Sequence, residues 1–213
     1  MNNEISKQEP VSAQGYGGQR QVIVIHGGDV WDTNEEYIEY LKNYDFTREK
    51  FDKITSRGWK DNLQEDLGND FQIVKPDMPS KRNAKYYEWN IWFQKIVPYL
   101  DDNVVLVGHS LGATFLVKYL AENKLSVNAS QLHLVAGVFG YKGGFGLPRS
   151  FELIEQQSKN IFLYHSKDDV VVDFEDALKF QNVLQSAKLV QFEDRSHFNQ
   201  ARFPEIVENI KKV

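Results

Sequence analysis

Ser110 stands at the centre of Gly108-His109-Ser110-Leu111-Gly112, with the apolar run 104–107 before it and the apolar residues Phe115, Leu116, Tyr119 and Leu120 after it. A serine hydroxyl is a weak nucleophile at neutral pH and needs both exposure and a base. A sharp strand-to-helix turn supplies the exposure, and glycines two residues to either side let the backbone close without a Cβ clash. The pattern points to attack on an acyl carbon. The base that takes the serine proton needs in turn an acid to fix its tautomer. Both residue types follow downstream. Asp168 and Asp169 come just past the apolar run 161–164, and His197 follows the run 189–192. Serine, acid, histidine is the chain order of a doubly wound hydrolase. Each candidate also follows a strand-like run, at the edge of an open α/β sheet where catalytic loops gather. The residues leave the acid open between Asp168 and Asp169, because aspartate is equally at home as a turn residue or a helix cap.

A developing oxyanion needs hydrogen-bond donors. His26-Gly27-Gly28 ends the first apolar run in a glycine-rich turn, so the N–H groups of Gly28 and of Leu111, at a helix N-terminus, are the candidate oxyanion hole. Phosphate binding is the weaker reading of that turn, since neither G-x-G-x-x-G nor the lysine of a Walker loop is present. His26 and His109 adjoin the site without a proton-transfer role, and His133 lies inside a strand pattern and reads as structural. His165 lacks companions at metal-ligand spacing. Neither a metal nor a cofactor is expected.

Six short apolar runs, at 22–25, 71–74, 104–107, 132–135, 161–164 and 189–192, have helical patterns between most of them. Near-continuous apolar strands alternating with amphipathic helices predict a doubly wound, mostly parallel six-stranded α/β sheet covered on both faces, an α/β/α sandwich. Within the helical pattern 87–100, Trp89, Trp92, Phe93, Ile96, Val97 and Leu100 form a core-facing stripe. Further helices are expected near 175–184 and at 204–211, the latter opened by a proline in its first turn. Between the first two strands lie about forty residues, more than a βα connection needs. Helical patches at 35–41 and 48–54 precede a third at 59–67. The aromatic residues Trp31, Tyr37, Tyr40, Tyr44, Phe46 and Phe51 suggest that this segment walls an apolar acyl pocket.

A chain of 213 residues, 41% hydrophobic, suits one domain with a sizeable core. Its net charge of -5, with both signs interspersed, offers no basic stripe for nucleic acid or for a membrane surface. Without cysteine, disulfides and thiolate metal sites are excluded. No apolar run is long enough to span a bilayer. Residues 1–20 are polar, lack the apolar stretch of a signal peptide, and read as a flexible tail on a cytoplasmic protein.

The Gly108–Gly112 elbow, Met78-Pro79 followed by Trp89 and Trp92, Ser166-Lys167-Asp168-Asp169, and Ser196-His197-Phe198 leading to Phe203 together resemble the α/β-hydrolase superfamily. Within it they are similar to the small serine hydrolases typified by retinoblastoma-binding protein nine and the bacterial YdeN-like proteins. The resemblance covers residues 21–213, taken as a single α/β-hydrolase domain. It implies Ser110 as nucleophile, His197 as base and, of the two aspartates, Asp169 as the acid. Relative to that family residues 29–57 are largely an inserted helical segment, and Val170 stands where proline is common. The expected activity is hydrolysis of small carboxylic esters through an acyl-enzyme, on a small-molecule ester or amide. A peptidase, amidase or thioesterase on the same triad, or a low-turnover binding protein, is the alternative.

Overall fold

In the computed structural model, which describes residues 18–212, six parallel strands form one sheet in the order β2-β1-β3-β4-β5-β6. They are β1 (Arg20–Ile25), β2 (Phe71–Val74), β3 (Val104–His109), β4 (Ala129–Val135), β5 (Ile161–Ser166) and β6 (Lys188–Phe192). Every residue of β3 and β4 is buried, whereas the edge strands β2 and β6 are largely half-exposed. A strand buried on both faces has no reason to alternate polar and apolar residues, which is why the central strands read as unbroken apolar runs. Val22 and Val24 of β1 join Val105 and Val107 of β3 on one face, while Ile23 and Ile25 join Val104 and Leu106 on the other.

The described residues form eight α-helices, α1 (Asn34–Asn43), α2 (Arg48–Lys53), α3 (Trp59–Leu67), α4 (Tyr86–Ile96), α5 (Leu111–Glu122), α6 (Glu152–Gln157), α7 (Phe174–Val183) and α8 (Pro204–Lys211), of which α3 to α8 contribute buried residues. Trp59 and Leu63 of α3 and Ile206 and Ile210 of α8 pack on the first face. Trp89, Phe93 and Phe115, from α4 and α5, anchor the second, with Trp89 and Phe93 each edge-to-face on Phe115. The result is a three-layer α/β/α sandwich.

The sheet is wholly parallel rather than mostly so. The short α6 does not register in the hydrophobic pattern. Trp92 departs from the expected core stripe and is 47% exposed, because on a helical wheel it lies a quarter turn from the centre of the face shared by Tyr86, Trp89 and Phe93. Residues 1–17 of the expected tail lie outside the described residues, and Arg20 already opens β1. In the segment 29–57, α1 and α2 form, and neither contains a buried residue.

The chain runs from β1 outward to β2 and then returns to place β3 on the other side of β1. At such a reversal neighbouring loops leave in opposite directions and open a crevice at the carboxyl ends of the strands. The turns after β1 and β3 carry Gly27, Gly28 and Ser110, and both border the cavity described next.

Candidate active site

Ser110 caps β3 and opens α5 with φ 55° and ψ -124°. A non-glycine residue reaches that region only under constraint. Its N–H is held by the Val135 carbonyl at 2.8 Å. A Cβ on Gly108 would fall 2.6 Å from the Ala113 backbone, and one on Gly112 would fall 2.3 Å from the Ile25 carbonyl. Only glycine lets α5 press this closely on β1 and β3, so the two flanking glycines are a steric requirement of the elbow.

The loop after β5 separates the two aspartates. Asp168 accepts hydrogen bonds from the Ser166 hydroxyl and, at 2.8 Å, from the Ser196 N–H. It ties the β5 loop to the β6 loop, and the Ser166 hydroxyl foremost holds its carboxyl below the usual carboxylate range. Asp169 turns the other way. Its Oδ1 accepts from the N–H groups of Val171 (2.8 Å) and Val172 (3.1 Å), and its Oδ2 lies 2.8 Å from Nδ1 of His197. Burial works to raise the Asp169 pKa, but the bonds from His197, Val172 and Val171 outweigh it and the net shift is downward. An ionised carboxylate therefore faces the His197 ring. The neighbouring His165 donates from Nε2 to the Val172 carbonyl at 2.9 Å and braces the loop after β5.

His197 sits between two residues with left-handed backbone, Ser196 (φ 46°) and Phe198 (φ 53°). Its ring centroid is 5.0 Å from that of His109. Ser110, His197, Gly28 and Leu111 all line one cavity of about 1190 Å³. The glycine turn beneath it is braced by His26, which accepts the Met78 N–H at Nε2 (2.9 Å) and so donates from Nδ1 to the Gly27 carbonyl (2.6 Å). The chemistry-bearing residues singled out in the sequence thus meet at one edge, with Asp168 one step away as a tie between loops.

The far wall of the cavity differs from the expected apolar one. Of the six aromatic residues in the segment after β1, only Trp31 and Tyr40 line it, while Phe46 and Phe51 are exposed. The face that α1 turns inward carries Glu36, Glu39, Tyr40 and Asn43, and its apolar Ile38 and Leu41 look outward, 40% and 45% exposed. Ion pairs tie the rim together, Asp29 with Arg82 and Asp32 with Lys142. Among the described residues no group of three His, Cys, Asp or Glu side chains is arranged to hold a metal ion, and no helix is long and apolar enough to cross a membrane.

His133 is a foil to these histidines. Its Nδ1 accepts from the Tyr164 hydroxyl and its Nε2 donates to Gln131, while Asn209 of α8 donates to the same hydroxyl. Burial holds the ring neutral, with its pKa lowered to about 3. Asn209 thus joins α8 to the sheet, through the Tyr164 hydroxyl and through its own carbonyl, which accepts from Gln131 Nε2.

A parallel sheet of this order with a serine at the elbow after β3 defines the α/β-hydrolase class. The sequence profile described as Serine hydrolase matches residues 51–210, and the chain belongs to that family of enzymes. Serine hydrolase RBBP9 of Rattus norvegicus is 25% identical over 166 residues, which span 75% of this chain and 88% of that protein. Among solved structures, the ydeN gene product of B. subtilis superposes with a TM-score of 0.66 at 20% identity, covering 91% of this chain and 97% of that one. The esterase EaEST of Exiguobacterium antarcticum has the same fold, with a TM-score of 0.56 at 17% identity and 91% of each chain covered.

Proposed function

We propose that the protein hydrolyses small carboxylic esters through an acyl-enzyme, with Ser110 as nucleophile, His197 as general base and acid, and Asp169 as the residue that orients it. The observation that carries this reading is the 2.8 Å bond from His197 Nδ1 to Asp169, made beside the cavity that Ser110 also lines. With Nδ1 committed to the carboxylate, Nε2 is the nitrogen left to take the hydroxyl proton as Ser110 attacks the ester carbonyl. The N–H groups of Leu111 and Gly28 stabilise the oxyanion that forms. His197 then gives the proton to the leaving alcohol, and water repeats the sequence to release the acid.

Val30, Leu111, Val138, Val171 and Val172 supply the aliphatic part of the wall, and the remainder is rich in charged side chains. Long acyl chains gain from apolar area, so this lining suits a short acyl group on a polar alcohol. A fluorophosphonate should add one phosphonyl group to wild-type protein, and p-nitrophenyl acetate should turn over. Ser110→Ala should lose both. Full labelling of the Ala variant, seen by intact mass, would overturn the assignment of the nucleophile.

A further inference from the structure

A loop that holds a base between two left-handed residues needs external support, because each such residue costs on the order of 1–3 kcal/mol. The N-terminal half of α3 provides it. The Trp59 N–H bonds the Gln200 carbonyl and its indole Nε1 bonds the Phe198 carbonyl, both at 2.9 Å. Asn62 Nδ2 reaches the Ala201 carbonyl at 2.8 Å. The remaining tie is indirect. Lys60 Nζ lies 2.9 Å from Nδ1 of His109, and His109 Nε2 lies 2.9 Å from the carbonyl of His197 itself.

The partners dictate the proton positions in this chain. A carbonyl only accepts, so His109 Nε2 carries a hydrogen; a lysine ammonium only donates, so His109 Nδ1 is a bare lone pair. Burial, foremost, together with the charges of Lys60 and His197 drives the His109 pKa well below its usual value, so the ring stays neutral and relays no proton. We propose that Lys60 is a positioning residue for catalysis: by donating to His109 it locks the Nε2–H tautomer that holds the His197 carbonyl, and so fixes the base over Ser110. A residue that accepted at this place would free the other tautomer and set the Nε2 lone pair against the carbonyl.

Lys60 also brings a positive charge to within one imidazole of the base. Facing it are Asp61 on α3, Lys75 beyond β2, which pairs with Asp61 at 2.7 Å, His109 at the end of β3, and His197 across that ring. Burial lowers the Lys60 pKa to about 8, with Asp61 and Lys75 opposing one another. Lys60 is therefore charged through the acid limb of the pH profile, where it opposes formation of an imidazolium at His197.

The inference rests on the reading of His197 as base, and the two are separable by one set of measurements. Wild-type protein, Lys60→Met and Lys60→Arg are compared for fluorophosphonate labelling rate, for kcat and KM on p-nitrophenyl acetate, and for the pH midpoint of kcat/KM. Met keeps the bulk without donor or charge; Arg keeps both. In Lys60→Met we expect kcat to fall about tenfold with KM changed less than twofold, and the acid limb to move up by about 0.3–1 pH unit. Lys60→Arg should recover most of kcat and the wild-type limb. Nitrogen-15 spectra of the wild type should show the Nε2–H tautomer at His109. A Met variant with wild-type kcat and limb would overturn the role of Lys60, as would an Arg variant as impaired as Met with an unmoved limb. Should Lys60→Met not fold, the His109 tautomer and the Arg variant still decide the matter. Wild-type protein that fails to label at Ser110 would instead overturn the functional reading.

Discussion

Two parts of the molecule border the same cavity and are built by opposite rules. On one side, Ser110, Asp169 and His197 leave strands β3, β5 and β6, and the backbone around each is pinned by a buried contact: the Val135 carbonyl, the N–H groups of Val171 and Val172, and the indole of Trp59 on the adjacent Phe198 carbonyl. On the other, α1 lines the cavity, and neither it nor the adjoining α2 contains a fully buried residue. They are capped by Thr33 and Thr47 and laced by exposed pairs such as Arg48 with Asp52 and Lys53 with Glu49, which water and salt screen to little net stabilisation. Attachment to the body comes at the base of the segment, through the Trp31 indole to the Arg82 carbonyl, Lys85 to the Trp31 carbonyl, and Lys142 to Asp32. Reacting groups need sub-ångström placement and take it from the core. The wall that meets the rest of the substrate needs only to be there, and a marginally held wall is free to change without disturbing the chemistry.

The largest effect that tests this division lies on the rigid side. Asp169→Asn should lower kcat by about 10³–10⁴, because the amide holds the wrong imidazole tautomer. Asp168→Asn, which disturbs the tie between the β5 and β6 loops, should leave turnover within about tenfold and lower the melting midpoint modestly. Steady-state kinetics and thermal melts of the two variants, run side by side, decide the point; collapse of turnover in Asp168→Asn alone would reverse the roles. The smaller effect lies on the loose side. Tyr40→Ala should change the ratio of kcat/KM between acetyl and hexanoyl esters by about three- to tenfold, in the range of one or two methylene contacts, with the melting midpoint nearly unmoved. If every ester changes by one common factor, the α1 wall takes no part in selection and the contrast between the two sides loses its functional half.

What the sequence reveals follows the same division. The central strands are readable because burial on both faces removes polar residues, yet β3 continues through Gly108 and His109 and β5 through His165 and Ser166, beyond the apolar runs. Those extra residues are buried for particular reasons: Gly108 lets α5 approach, His109 lines the cavity, and His165 and Ser166 bond the loops after β5 and β6. α6 has only six residues, fewer than two turns, so no period can develop. The pair Asp168-Asp169 is legible as a candidate acid but not as two roles, since adjacent identical side chains differ only in where the turn points them. The outward-facing Ile38 and Leu41 mislead a pattern reading, which assigns the apolar face of a helix to the interior. Lys60 leaves no mark at all. A single lysine after Trp59 in an ordinary helix becomes informative only when folding brings it against His109, which is 49 residues distant in the chain.

With Ser110 as the proposed nucleophile, its left-handed backbone sets catalysis and heat resistance against each other at one atom, the serine Cβ. Holding a side chain at φ 55° costs on the order of 1–3 kcal/mol. Glycine would escape that strain, and its greater freedom in the unfolded chain returns only about 0.4–1 kcal/mol. In calorimetry, Ser110→Gly should therefore melt above the wild type, while Ser110→Ala, equally inert but still carrying a Cβ, should melt close to it. On the role proposed for Ser110, keeping that side chain leaves the enzyme below the thermal ceiling that its own core would allow.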